Sequence, residues 1–156
     1  MFRFRRPRAL LIACLLVATA CGGAARDESG AIIEAGTENV FALKIGDCFD
    51  DPDEFGEITS VAAVPCTAAH DNEVFYTFDL PDGSFPGDEA IDEAAFRECV
   101  ASFETYVGVA YESSILDVTY LSPTDASWDT GDREIACLLY HIDLEKLTGS
   151  MRASGV

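Results

Sequence analysis

The clearest periodicity lies in residues 88–107, DEAIDEAAFRECVASFETYV, where Ile91, Ala94 or Ala95, Cys99, Phe103 and Tyr106 or Val107 recur every three or four positions. That spacing makes one apolar stripe and predicts a helix from about Asp88 to Val107. Asp88 is placed to cap it, Glu89, Asp92 and Glu93 favour the positive end of its dipole, and Gly108 is placed to stop it. Elsewhere the period is two. NVFALKIGDCF, from Asn39, reads as a short strand or extended segment ending at Gly46-Asp47, and ITSVAAV, residues 58–64, as a strand closed by Pro65. In DNEVFYTFDL, Val74, Tyr76 and Phe78 alternate with Phe75 and Thr77, so both faces are largely apolar and a central position packed on two sides is expected. Asp50 to Glu57 is an acidic loop, and Pro81-Asp82-Gly83 turns the chain. Two later strands, within SSILDVTYLSP and REIACLLYHI, flank TDASWDTGD, which reads as a loop. The fold class expected is α+β, a small antiparallel sheet with one principal covering helix.

Cysteine use adds staples to that scheme. Cys48, Cys66, Cys99 and Cys137 form an even set, which allows three pairings that sequence alone does not choose among. Local pairing, Cys48 with Cys66 and Cys99 with Cys137, fits the layout, since it closes the acidic loop and fixes the helix to the last strand. Zinc is a poorer use of them, because no CxxC pair occurs.

The amino terminus is of a different character. MFRFRRPR is followed by the uncharged run ALLIACLLVATA and then Cys21. Twelve such residues at about 1.5 Å each fall short of the roughly 30 Å hydrocarbon core, so an export signal is expected rather than a membrane span. Ala18-Thr19-Ala20-Cys21 resembles a bacterial lipobox, with Ala18 where Leu is usual. The resemblance implies that the Cys21 thiol receives a diacylglyceryl group, that cleavage falls before Cys21 and that its new amino terminus is N-acylated in many organisms, with palmitate-like chains anchoring the protein to the outer side of the cell membrane. The resulting division is a signal over 1–20, a flexible acidic tether over 21–38, a domain over 39–147 and a C-terminal tail over 148–156. Charge sharpens the picture: four of the ten basic residues precede residue 10, leaving six against all 28 acids. So acidic a domain repels nucleic-acid phosphates, and no nucleic-acid partner is expected.

Several short motifs carry a family resemblance. Gly46-Asp47-Cys48-Phe49, then Val64-Pro65-Cys66 with His70, Asp71, Glu73 and Val74, then Phe85-Pro86-Gly87, Cys99, and finally Trp128 with Gly131-Asp132-Arg133 and Cys137 resemble the septum formation family. That family consists of exported, often lipid-anchored or membrane-tethered actinobacterial proteins. The resemblance covers about residues 44–142 and implies a role around the division septum or cell wall. Phe85 stands where the family usually has Tyr.

Candidate chemistry is sparse. His70, between Cys66 and Glu73, is the natural base, ligand or clamp, with a scaffolding role the simpler reading; His141 reads as structural. No Ser lies in a nucleophile elbow, and no glycine pattern cradles phosphate. Asp50, Asp51, Asp53, Glu54 and Glu57 fail as an EF-hand, because Phe55 and Ala62 fall where oxygen ligands are needed. Neither a metal, a cofactor nor a catalytic residue is assigned. His70, Glu73, Trp128, Asp132 and Arg133 are the candidate binding residues, Trp128 as an aromatic recognition corner and Asp132 with Arg133 as a brace for the turn. The reading is a lipid-anchored, non-enzymatic module that binds or organises septal proteins, other envelope proteins or cell wall. The alternative is an envelope hydrolase or metal-dependent enzyme built on His70.

Overall fold

Alternating apolar residues on both faces of one long strand require layers on both sides of the sheet, and the computed structural model has them. It describes residues 22–52 and 56–156. In chain order the elements are β1 (Ala25–Arg26), β2 (Ile32–Glu34), β3 (Gly36–Asn39), a 3-10 turn (Val40–Ala42), β4 (Cys48–Asp50), β5 (Ser60–Val64), β6 (Ala69–His70) and β7 (Asn72–Asp79). They continue with α1 (Asp88–Val107), a second 3-10 turn (Tyr111–Ser113), β8 (Leu116–Leu121), α2 (Asp125–Trp128), β9 (Glu134–His141) and β10 (Leu147–Thr148). Six strands form one antiparallel sheet in the order β3-β5-β4-β7-β9-β8, a larger sheet than the sequence led us to expect. The α+β class stands.

The helix covers one face. Ile91, Ala95, Cys99, Phe103, Tyr106 and Val107 are buried, the stripe that periodicity picked out. They meet Phe75 of β7, Leu116 and Val118 of β8, and Ile135, Cys137 and Leu139 of β9. Phe75 is edge-on to Phe103 with centroids 6.2 Å apart, a favoured aromatic geometry. Gly108 ends the helix in the left-handed conformation at φ 89°, its N–H donating to the Glu104 carbonyl. Asp88 is not the cap: Gly87 occupies that position, and Asp88 is the first helical residue. The opposite face of the sheet buries Phe49, Val61, Ala63, Val74, Ala136 and Leu138.

Ile32 and Leu43 lie over that second layer, and this corrects the reading of residues 22–38 as a tether. The segment is built into the domain through β1, β2 and β3. Arg26 holds it there, donating from both terminal nitrogens to the two Asp47 carboxylate oxygens at 2.7 Å each and to Glu38 at 3.1 Å. Gly36 crosses so close to Gly23 that a Cβ would come within 2.6 Å of the Gly23 carbonyl oxygen. Composition could not reveal a partner 21 residues away. Two smaller differences have local causes. Residues 40–42 form a 3-10 turn instead of a strand because Asn39 accepts a hydrogen bond from the Phe41 N–H, and TDASWDTGD contains α2 because Thr124 and Ser127 cap each other.

Cys48–Cys66 and Cys99–Cys137 are the pairs, with Cα separations of 5.2 and 5.5 Å, inside the usual disulfide range. The loop-entropy model assigns them about 3 and about 4 kcal/mol. The signal segment and Cys21 lie outside the described residues.

Candidate functional site

The five candidate binding residues fall into two groups. His70 and Glu73 lie beneath the C-terminal segment. Trp128, Asp132 and Arg133 form a corner at α2.

His70 is fully buried in β6, opposite Leu147 of β10. Its Nδ1 donates to the Ala68 carbonyl at 2.9 Å, and Nε2 meets no hydrogen-bonding group among the described residues. Its ring contributes to neither of the two clefts described below. Glu73, also fully buried, accepts hydrogen bonds from the Tyr106 hydroxyl at 2.7 Å, the Ser150 hydroxyl at 2.5 Å and the Met151 N–H at 2.6 Å. Burial, then the bond to Glu73, pushes the Tyr106 phenol well above its ordinary pKa. The carboxylate therefore latches residues 147–156 to the helix and sheet, and those residues are an integral part of the fold. Glu73 also comes within 4.8 Å of the Cys48 and Cys66 sulfurs. Those sulfurs are bonded to each other, and a disulfide supplies no thiolate to a metal. In the acidic loop, Lys146 Nζ reaches Asp50 at 2.8 Å and Asp71 at 2.7 Å, and Asp51 accepts from Asn72 at 2.6 Å. Asp53 and Glu54 lie outside the described residues.

Trp128 is not an exposed recognition surface. It is 4% exposed, donates from Nε1 to the Gly83 carbonyl at 2.9 Å and packs edge-on against Phe85. The sequence lacked the reason: Gly83 is 45 residues away. Arg133 stacks over the indole, 3.7 Å from a ring centroid, and donates to the Trp128 and Asp132 carbonyls. Its side-chain acidic neighbour is Asp82 at 3.5 Å rather than Asp132. Asp132 instead accepts from the Ser127 hydroxyl at 2.8 Å and the Glu134 N–H at 3.2 Å. The W-x2-GDR motif is thus the framework of a tight turn.

That turn walls a cleft of about 230 Å³. Thr124, Ser127 and Asp132 of the turn line it together with Phe41 and Ile58, and with Tyr120, Leu121, Glu134 and Ala136 from the ends of β8 and β9. Phe41 is 62% exposed. Of these residues only Asp132 was legible as a candidate in the sequence; Phe41 and Glu134 read only as parts of the strand segments NVFALKIGDCF and REIACLLYHI. A second cleft, of about 290 Å³, is lined by Asp51, Asp71, Asn72, Tyr140, His141 and Leu144 among others.

These features define a class: a disulfide-stapled α+β domain with a two-sided sheet, its polar motif residues committed to turns and latches around a shallow cleft. A family model for septum formation matches residues 9–137, and the chain belongs to the septum formation family. Membership places its role in cell division and the envelope. No curated relative and no solved structure matches the chain. The family match ends at Cys137, short of Ser150 and Met151, which close the Glu73 latch.

Proposed function

We propose that the protein is a lipid-anchored, extracytoplasmic binding module that docks an envelope partner during septum formation and does not turn over substrate. The observation that carries this reading is the use of the family motifs. Asp47 receives Arg26, Glu73 receives Tyr106 and the C-terminal segment, Trp128 reaches Gly83, and Arg133 stacks on Trp128. These contacts build and brace a surface, and they leave the cleft beside α2 as the place where a partner is met. An enzyme built on His70 would need that ring in a cleft beside a carboxylate, and His70 is fully buried. The anchor rests on the Arg-rich start, the twelve-residue apolar run and Ala18-Thr19-Ala20-Cys21; no helix among the described residues is long and apolar enough to cross a membrane.

The test has two readouts. Intact mass of the protein from its native membrane should exceed the residue 21–156 polypeptide by a diacylglyceryl increment. Copurification from crosslinked membranes should recover a septal or cell-wall-associated partner with the wild-type chain and lose it with Cys21→Ala. An unmodified Cys21, or identical recoveries from the two chains, refutes the anchored-module reading.

A further inference from the structure

The cleft beside α2 combines apolar lining with unbalanced charge. Phe41, Ile58, Leu121 and Ala136 give it carbon surface, whereas its charged lining residues are Glu57, Asp132 and Glu134, with no Lys, Arg or His among them. A fourth carboxylate stands beside Glu134, because Asp79 faces it directly across the β7–β9 pair. Like charges opposite each other across a sheet destabilise it. None of Asp79, Asp132 and Glu134 has a basic side chain in ion-pair contact among the described residues. Partial desolvation, then the charges of Asp79 and Asp132, raises the Glu134 carboxyl above its ordinary pKa. Asp132 does not swing clear, since Ser127 Oγ and the Glu134 N–H hold it.

The second cleft differs on this point. Its Asp71 already receives Lys146 and its Asp51 already receives Asn72. Glu145 of the second cleft also lacks an ion pair among the described residues, but the α2 cleft sets its unpaired carboxylates beside Phe41, an aromatic ring 62% exposed. At about 230 Å³ it is smaller than the roughly 300–1,000 Å³ of small-molecule pockets, a size for one long side chain rather than a free ligand.

We propose that this cleft receives an arginine side chain from the partner protein, with its guanidinium between Glu134 and Asp132 and its plane against Phe41. The occupant follows from charge complementarity and shape. A guanidinium presents a planar fork of donors to carboxylates and stacks on aromatic faces, whereas a lysine ammonium is a strongly hydrated point charge that does neither as well. Arginine also anchors many protein interfaces at their centre. The inference rests on the binding-module reading and names the chemistry of its partner.

The blocked tripeptide acetyl-Gly-Arg-Gly-amide, titrated into the full-length protein in detergent, tests it. Trp128, the single tryptophan, sits in the α2 turn and reports occupancy by its fluorescence. The arginine peptide should give a saturable change and bind several-fold more tightly than its lysine counterpart. Glu134→Gln should weaken it about tenfold, the scale of one charge-assisted contact, and Phe41→Ala should weaken it severalfold. Glu145→Gln, in the second cleft, should leave it unchanged. Because Glu134→Gln relieves the repulsion from Asp79, its thermal midpoint should hold or rise, which separates lost binding from misfolding. Absence of saturation, equal binding of the lysine peptide, stoichiometric displacement by calcium, or indifference to Glu134→Gln each overturns the proposal. In the crosslinking experiment, a partner retained by Glu134→Gln removes the arginine contact but leaves the module reading standing; no partner for the wild-type chain removes the module reading itself.

Discussion

Replacing Arg26 with Ala tests whether residues 22–38 belong to the domain. The substitution deletes two 2.7 Å bonds to Asp47, a 3.1 Å bond to Glu38 and a 2.8 Å bond to the Gly30 carbonyl. Asp47 keeps the Lys44 N–H at 2.8 Å, but its side chain is only 4% exposed, so most of its charge is left without compensation. Breaking a buried pair from one side costs about 3–5 kcal/mol. The Arg26 side chain is 17% exposed and water partly replaces it, which brings the expected loss to about 2–4 kcal/mol. Against a total of about 5–15 kcal/mol that is a large fraction. Arg26→Lys keeps the charge but not the fork, and should recover about half. Urea unfolding of the oxidised protein gives the free energies, and hydrogen exchange gives the location: the amides of β1 to β3 should lose protection first. A free tether would behave otherwise. If Arg26→Ala changes stability by less than about 0.5 kcal/mol, as an isolated surface substitution does, and exchange over 23–39 is already fast in the wild type, the argument fails.

Three further outcomes follow from the same kind of reasoning. Glu73→Gln puts an amide donor where the carboxylate only accepts, and should cost about 1–3 kcal/mol; limited carboxypeptidase digestion should then release residues 147–156 early, and unchanged resistance would refute the latch. Removing Cys99–Cys137 as a double Ser variant should cost about 4 kcal/mol and removing Cys48–Cys66 about 3 kcal/mol in urea unfolding, and peptide maps without reduction should contain only these two pairs. Asp117 is pulled upward in pKa by burial but held below its ordinary value by the Tyr111 hydroxyl, the Val118 N–H and the Tyr140 hydroxyl. A depressed folded pKa means that its stabilisation is full above the unfolded value near 3.8 and is lost as pH falls through the folded value. Tyr111→Phe should therefore cost about 1 kcal/mol at neutral pH and less in acid; a cost that does not shrink in acid counts against the charged acceptor.

What the sequence determined by itself is whatever depends on neighbours along the chain. A 20-residue stripe at helical spacing fixed α1 from Asp88 to Val107, because i, i+3 and i+4 positions share a face wherever a helix forms. Alternation on both faces put β7 in the middle of the sheet, and the short separations of 18 and 38 residues pointed to the two disulfides found. The motif order was enough to indicate the family. Tertiary structure decided what each motif residue does, because the partners are distant: Asp47 binds Arg26 from 21 residues away, Trp128 reaches Gly83 across 45, and Glu73 is met by Ser150 across 77. The cleft is the extreme case. Phe41, Tyr120 and Glu134 converge only through strand order and register, and no local pattern announces a convergence made by folding.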